Sequence, residues 1–271
     1  MKKLYTLLLG FLFLPFAACD EVAESERYLP MDEVVSARAV LLEDFTGQFC
    51  VNCPDAHEVI DNLEHLYGDS LVIAVAIHAG VYGVPESDNP NFVGLMQPEG
   101  NEYADYWNIQ GYPSGLIDRV SPASSNMAEW SALVRKALEQ ETDLDIDLTA
   151  REITGDSLSV AVTLRPAGDI TGKLQVWVIE NHIIAYQDDH GKSVLDYEHN
   201  HVYRASVNGT WGEEVSLEAN VYRHADYALP IKKNWARENL AIVAFVYNDG
   251  GVVQAAKAPL ALMNTEIIKT K

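Results

Sequence analysis

Hydrophobic and polar residues follow one another along this chain in two textures. Between about Val34 and Glu141, strand-like and helix-like stretches take turns. Ala39–Phe45 carries an apolar strand, VLLEDF, and Pro54–Tyr67 sets Ala56, Ile60, Leu63 and Leu66 at helical spacing. Leu71–Ile77 (LVIAVAI) is apolar at every position, the pattern of a strand buried on both faces. Glu102–Trp107 and Met127–Glu139 predict further helices, with Leu116–Asp118 a short strand between them. Strand–helix alternation of this kind predicts a βαβ-type α/β sheet. From Leu144 onward the chain reads as short alternating strands: Asp143–Thr149, Ser157–Leu164, Leu174–Ile179, Val202–Val207 and Leu240–Tyr247. Turn signals at Gly155-Asp156, Gly172-Lys173, Asn208-Gly209 and Asp249-Gly250-Gly251 separate several of them. That texture predicts an antiparallel all-β sandwich. The junction falls near Gln140–Asp143, so two domains are expected, 34–141 and 142–271.

Ahead of both lies an address. Met1-Lys2-Lys3 is a positive start and Leu4–Phe16 a short apolar run. The run falls short of the roughly 20 apolar residues of a spanning helix, so residues 1–18 read as a secretory signal. Phe16-Ala17-Ala18-Cys19 resembles a bacterial lipobox, which makes Cys19 the expected lipidated N-terminus of the mature chain. Residues 19–33, opening Asp20-Glu21-Val22-Ala23-Glu24-Ser25-Glu26, read as an acidic tether. The acidic run resembles the surface-export signal of Bacteroides-group lipoproteins.

Composition narrows the function classes. With 48% hydrophobic and 22% charged residues the chain is ordinary globular material. Nineteen Lys+Arg against 40 Asp+Glu give a formal charge of −21, and loss of residues 1–18 takes Lys2 and Lys3 away to leave −23. A charge of that sign argues against nucleic acid as a partner, because phosphate neutralisation needs basic residues in excess. Three cysteines are too few for a disulfide scaffold of this length.

Two of those cysteines carry the candidate chemistry. Residues 44–54 read Asp44-Phe45-Thr46-Gly47-Gln48-Phe49-Cys50-Val51-Asn52-Cys53-Pro54, a Cys-x-x-Cys between a buried strand and a helix. This is a thioredoxin-like arrangement. Unpaired amides at a helix N-terminus stabilise a thiolate, which casts Cys50 as the attacking thiol and Cys53 as the resolving one. Asp44, six residues before Cys50, matches the buried proton-accepting carboxylate of thioredoxin. Strand alternation puts Glu43 on the opposite face, and it stands in reserve for the same role. Gly111-Tyr112-Pro113-Ser114 resembles the cis-proline loop of that fold, so Pro113 is expected to face the cysteines. Tyr112, Phe49 and His78, the last at the end of the LVIAVAI strand, are the candidate substrate contacts. Zinc competes for a CxxC but needs four ligands, and no second cysteine pair exists. A purely structural disulfide remains the other alternative. No cofactor is expected.

Other constellations read blandly. His57 and His65 lack the second histidine of an HExxH motif and are taken as surface residues. Asp188-Asp189-His190 and Glu198-His199-Asn200-His201 read as hairpin polarity, with a metal site conceivable because His199 and His201 are expected on one strand face. Val81–Asn101 is a long Gly-, Pro- and Asn-rich loop that could cover the cysteines and offer aromatic contacts. Aromatic residues of the later strands (Trp177, Tyr203, Trp211, Tyr222, Trp235) could bind partners or fill the core.

Taken together, LLEDFTGQFCVNCPDAHE (41–58), VAIHAG (75–80), GYPSGLIDR (111–119), HNHVYRASVNGTWGE (199–213) and ENLAIVAFVYN (238–248) resemble the Omp-28-related outer-membrane lipoprotein family of Bacteroides-group bacteria. The resemblance implies a lipid-anchored outer-membrane protein, a thioredoxin-like domain and an immunoglobulin-like sandwich. Two functions are then open. One is thiol–disulfide exchange on exported protein or peptide disulfides. The other is a surface adhesin or receptor module that binds a surface ligand and uses Cys50–Cys53 as a static clamp.

Overall fold

The computed structural model describes residues 38–87, 92–120 and 122–263. The signal segment, Cys19 and the acidic tether lie outside them. The first stretch folds as β1 (Val40–Thr46), α1 (Cys53–Tyr67), β2 (Val72–His78), α2 (Pro98–Tyr106), β3 (Ser114–Ile117) and α3 (Met127–Leu138). The strands β4 (Leu144–Ile153), β5 (Ser157–Pro166), β6 (Ile170–Glu180), β7 (Ile183–Asp189), β8 (Lys192–His199), β9 (Val202–Ser206), β10 (Glu213–Leu217), β11 (Arg223–Pro230), β12 (Leu240–Asn248) and β13 (Gly251–Ala261) follow. Pro98 in the first turn of α2 fixes a start earlier than its apolar spacing predicts. α1 buries Cys53, Ala56, Ile60 and Leu63 along one face and stops at Gly68, whose φ of 87° suits a residue without Cβ.

The expected fold class, an α/β thioredoxin-like domain followed by an all-β immunoglobulin-like sandwich, is overturned by the sheet. Eleven strands of both stretches join in one mixed sheet, ordered β11-β5-β4-β13-β12-β6-β9-β2-β1-β3, with β10 also paired to β6. β1 and β2 are parallel, β3 is antiparallel to β1, and β9 bridges β2 to β6 through Ala76 opposite Val202. The reason lies in β6 and β12, which are apolar at both parities rather than alternating. Leu174, Val176 and Val178 of β6, with Ile242, Ala244 and Val246 of β12, face a core built with Val160, Val162 and Trp235. The opposite faces, Trp177, Ile179, Ala241, Val243 and Phe245, pack on Leu41, Phe45, Ile73 and Leu116. Strands buried on both sides belong in the middle of a sheet, so β6 and β12 weld the two stretches together. Because β4 and β5 share a core with β6 and β12 while lying further along the sheet, that arm folds over to enclose it.

Buried polar ties reinforce the union. Arg38 lies 2.7 Å from Asp118 and donates to the carbonyls of Ala137 and Val252 at 2.8 and 2.6 Å. β7 and β8 stand apart as a two-stranded sheet of their own.

Candidate functional site

The turn between β1 and α1 holds a Cys50–Cys53 disulfide with Cα atoms 5.4 Å apart. Cys50 is 3% exposed and Cys53 fully buried. The turn is tied down locally by the Cys50 amide donating to Gly47 O at 3.0 Å and the Cys53 amide to Cys50 O at 3.3 Å. Gly47 is required here: a Cβ at that position would lie 2.5 Å from the Tyr82 carbonyl carbon. That close approach lets the Phe49 amide donate to Tyr82 O at 3.0 Å.

The hairpin β7–β8 seats itself on this turn. Its Asp188 and His190 amides donate to Gln48 O and Val51 O at 2.8 and 2.9 Å. Gln187 Nε2 donates to Cys50 O at 3.0 Å and Gly47 O at 3.3 Å. Buried Gln48 completes the seat by donating to Val93 O and Tyr186 O at 3.0 and 3.1 Å and accepting from the Leu95 amide at 3.1 Å. The disulfide is thus covered by residues more than 130 positions away in sequence.

Glu43 and Asp44 point to opposite faces of β1, as strand alternation requires. Glu43 accepts from Arg119 at 3.1–3.3 Å, and that guanidinium sits 4.3–5.9 Å from the rings of Trp107, Trp177, Phe245 and Tyr247. Asp44 faces α1. It is fully buried, both its oxygens lack a hydrogen-bond partner among the described residues, and burial pushes its pKa up to about 8. A buried carboxyl without partners is expensive to keep.

Beside Asp44 gathers a group of histidines. His57, one helical turn after Cys53, has Nε2 3.7 Å from Asp44 Oδ2 and 3.2 Å from Thr46 Oγ1, while its Nδ1 lies 2.8 Å from the Tyr197 hydroxyl. His78 ends β2 opposite Thr46, is buried, and finds no partner for either ring nitrogen among the described residues. His199 of β8 stands between the two, with ring centroids 5.4 Å from His78 and 6.3 Å from His57. Burial pushes the pKa of His57 down to about 3 and of His199 to about 4, and holds that of His78 well below the usual histidine range. A cavity of about 40 Å³ lies between α1 and the hairpin, lined by His57, Asp61, Tyr197 and His201 among others. That is room for a water or two.

Of the remaining sequence-predicted residues, Phe49 lies in the turn and Tyr112 packs on Tyr82, whose carbonyl accepts from the Phe49 amide. Tyr112–Pro113 is a cis peptide. The Tyr112 ring lies 5.6 Å from that of Tyr82. Phe49 is 45% exposed and groups with Tyr186 at 5.5 Å and Phe92 at 6.5 Å. Trp177, Tyr203 and Trp235 are buried, whereas Tyr222 is exposed. His201 falls after β8 at a positive φ of 58°, so it does not share a strand face with His199.

His57 corrects the surface reading: its side chain is 18% exposed and its ring is engaged on both nitrogens. Its place four residues after Cys53, on the buried face of α1, is the sequence signal that marks it. Gln48, Tyr186, Gln187 and Tyr197 carry no such signal, because their partners are remote.

Comparison with known proteins gives the following. A family model described as outer membrane protein Omp28 matches residues 100–262. The match takes in Tyr112, Pro113 and Tyr197 and begins after Asp44 and the cysteine pair. Among solved structures, the chain is similar to HBP35 of Porphyromonas gingivalis, with a TM-score of 0.66 and 16% identity, covering 86% of this chain and 80% of that one. A domain of the outer membrane lipoprotein Omp28 from Porphyromonas gingivalis aligns at 22% identity and a TM-score of 0.34, over 46% of this chain and 93% of that domain. No curated protein matches.

Proposed function

The chain belongs to the outer membrane protein Omp28 family, exported and lipid-anchored at the outer membrane, and on that premise we propose that Cys50 and Cys53 exchange disulfides with exported proteins or peptides. Cys19 is the proposed lipid-carrying residue. The observation that carries the exchange reading is Asp44, buried on the β1 face that α1 covers with no hydrogen-bond partner among the described residues. A static clamp gains nothing from such a carboxyl and bears its cost. An exchange site needs a group that takes the Cys53 proton during resolution and returns it in reverse, and a pKa near neutral suits both directions.

In this reading the Cys50 thiolate attacks a substrate disulfide, forming a mixed disulfide and releasing one substrate thiolate. Cys53 gives its proton to the Asp44 carboxylate and attacks Cys50 Sγ. The Cys50–Cys53 bond forms, the bond to substrate breaks, and the second substrate sulfur leaves as a thiolate. The pair is oxidised by two electrons and the substrate disulfide is reduced. Phe49, Tyr112 and Pro113 border the route by which a peptide reaches Cys50, and His78 extends the polar ground beneath. The reduced protein is expected to cleave insulin disulfides, Cys50→Ser to abolish the reaction, and Asp44→Asn to slow it about 10²-fold, the usual weight of one general acid or base. Insulin left intact by reduced protein, together with ligand binding indifferent to Cys50→Ser/Cys53→Ser, would establish the clamp instead.

A further inference from the structure

Resting on that exchange reading, we infer that His57 and Tyr197 relay the proton between buried Asp44 and the cavity under the β7–β8 hairpin. Asp44 needs such a path. It lies fully buried and holds a proton up to about pH 8, so that proton must leave before Asp44 can accept the one from Cys53. His57 supplies a bridge with two ends. Its Nε2 faces Asp44 Oδ2 at 3.7 Å, with the Thr46 hydroxyl 3.2 Å from the same nitrogen, and its Nδ1 meets the Tyr197 hydroxyl at 2.8 Å. The Asp44–His57 separation is longer than a hydrogen bond, as resting proton-transfer contacts often are. Both His57 and Tyr197 line the cavity, so the path ends where solvent can take the proton.

The relay works on neutral imidazole. Nε2 accepts from Asp44 while Nδ1–H passes to the Tyr197 oxygen and the Tyr197 O–H proton leaves into the cavity. The net change is one proton moved outward and one change of imidazole tautomer, reset when the next proton enters in reverse. No histidinium forms, because burial first and then the neighbouring His199 and His201 hold the His57 pKa down to about 3, against the opposite pull of Asp44 of β1 and of Asp61 and Glu198 along the cavity, with His78 of β2 also beside the ring. His57 and Tyr197 act through Asp44 and touch no reacting sulfur, so they are positioning residues. Tyr197 comes from the far half of the chain, 140 residues from His57, which makes the hairpin a working part of the site as well as its cover.

Single-turnover kinetics test this on the full-length protein, reduced and mixed with an aromatic disulfide such as 5,5′-dithiobis(2-nitrobenzoate). The first released thiolate reports attack by Cys50 and the second reports resolution by Cys53. Tyr197→Phe keeps the ring and removes the relay oxygen. It is expected to leave the first phase unchanged, slow the second about tenfold, and shift the pH dependence of the second phase alone. His57→Gln is expected to do the same, and the double variant to be no slower than either single one. Second phases at the wild-type rate and pH profile in both variants would overturn the relay while leaving exchange intact. A wild-type protein that releases no thiolate would sink the exchange reading and the relay with it. Both phases slowed equally would assign Tyr197 a structural role and refute the relay.

Discussion

At the scale of single residues, the site is defined by groups whose protonation folding changes. Asp44 holds its proton in the native state up to about pH 8 and gives it up near pH 4 when unfolded. Between those limits the native state binds more protons, so stability falls as pH rises, by about 1.4 kcal/mol per pH unit for one such group. His57 and His199 work the other way, staying neutral when folded down to about pH 3 and about pH 4, while the unfolded forms protonate near 6.5. Their contribution is complete above that value and is lost as pH falls through the window, and His78 adds to the same slope. The oxidised protein is therefore expected to be most stable near pH 6.5, with a steep acid limb and a shallower alkaline one. Asp44→Asn is expected to flatten the alkaline limb and to steepen the acid limb, where Asp44 opposes the histidines above about pH 4. Urea denaturation between about pH 5 and pH 8 measures both, and a profile unchanged by Asp44→Asn would refute the assignment.

At the scale of elements, the β7–β8 hairpin is the unit that matters most to the cysteines. It lies outside the large sheet and is fastened to the cysteine turn by backbone bonds and by Gln187 and Gln48. Hydrogen bonds of this kind contribute about 1 kcal/mol each. Gln187→Ala removes two to the turn. It is expected to let the hairpin lift more often and to speed reduction of Cys50–Cys53 by dithiothreitol about tenfold. Leu195→Ala, at a 75% exposed position of β8, serves as the control and is expected to change nothing. Equal reduction rates in Gln187→Ala and the wild type would show that the hairpin does not govern access.

At the scale of the whole molecule, the two textures of the chain share one core. Leu41, Phe45, Ile73, Val75 and Leu116 of the first stretch pack on Trp177, Ile179, Tyr203, Val243 and Phe245 of the second. Removing the second stretch would strip one face of β1 and β2 and leave Glu43 and Arg119 without the rings of Trp177, Phe245 and Tyr247. Residues 34–141 expressed alone are therefore expected to show no cooperative urea transition and poor dispersion in proton NMR, whereas the mature chain shows a single transition. A fragment that unfolds cooperatively by itself would contradict this account of the core.

The sequence by itself determined the local features. The CxxC spacing, the β1–α1–β2 order, the opposite faces of Glu43 and Asp44, and the both-sided burial of LVIAVAI follow from chain geometry within a few residues. It also held a clue to the fold that short alternating strands obscure: LQVWVI and LAIVAFVY are apolar at both parities, and only a strand covered on two sides can use them. What covers them was decided by tertiary structure alone. So were the Ala76–Val202 strand pairing between the two stretches, the hairpin over the disulfide, and the meeting of His57 with Tyr197. Contacts between residues about 100 positions apart or more leave no periodicity in the chain. Their partners are selected by which buried faces and unsatisfied polar groups come together when the sheet closes.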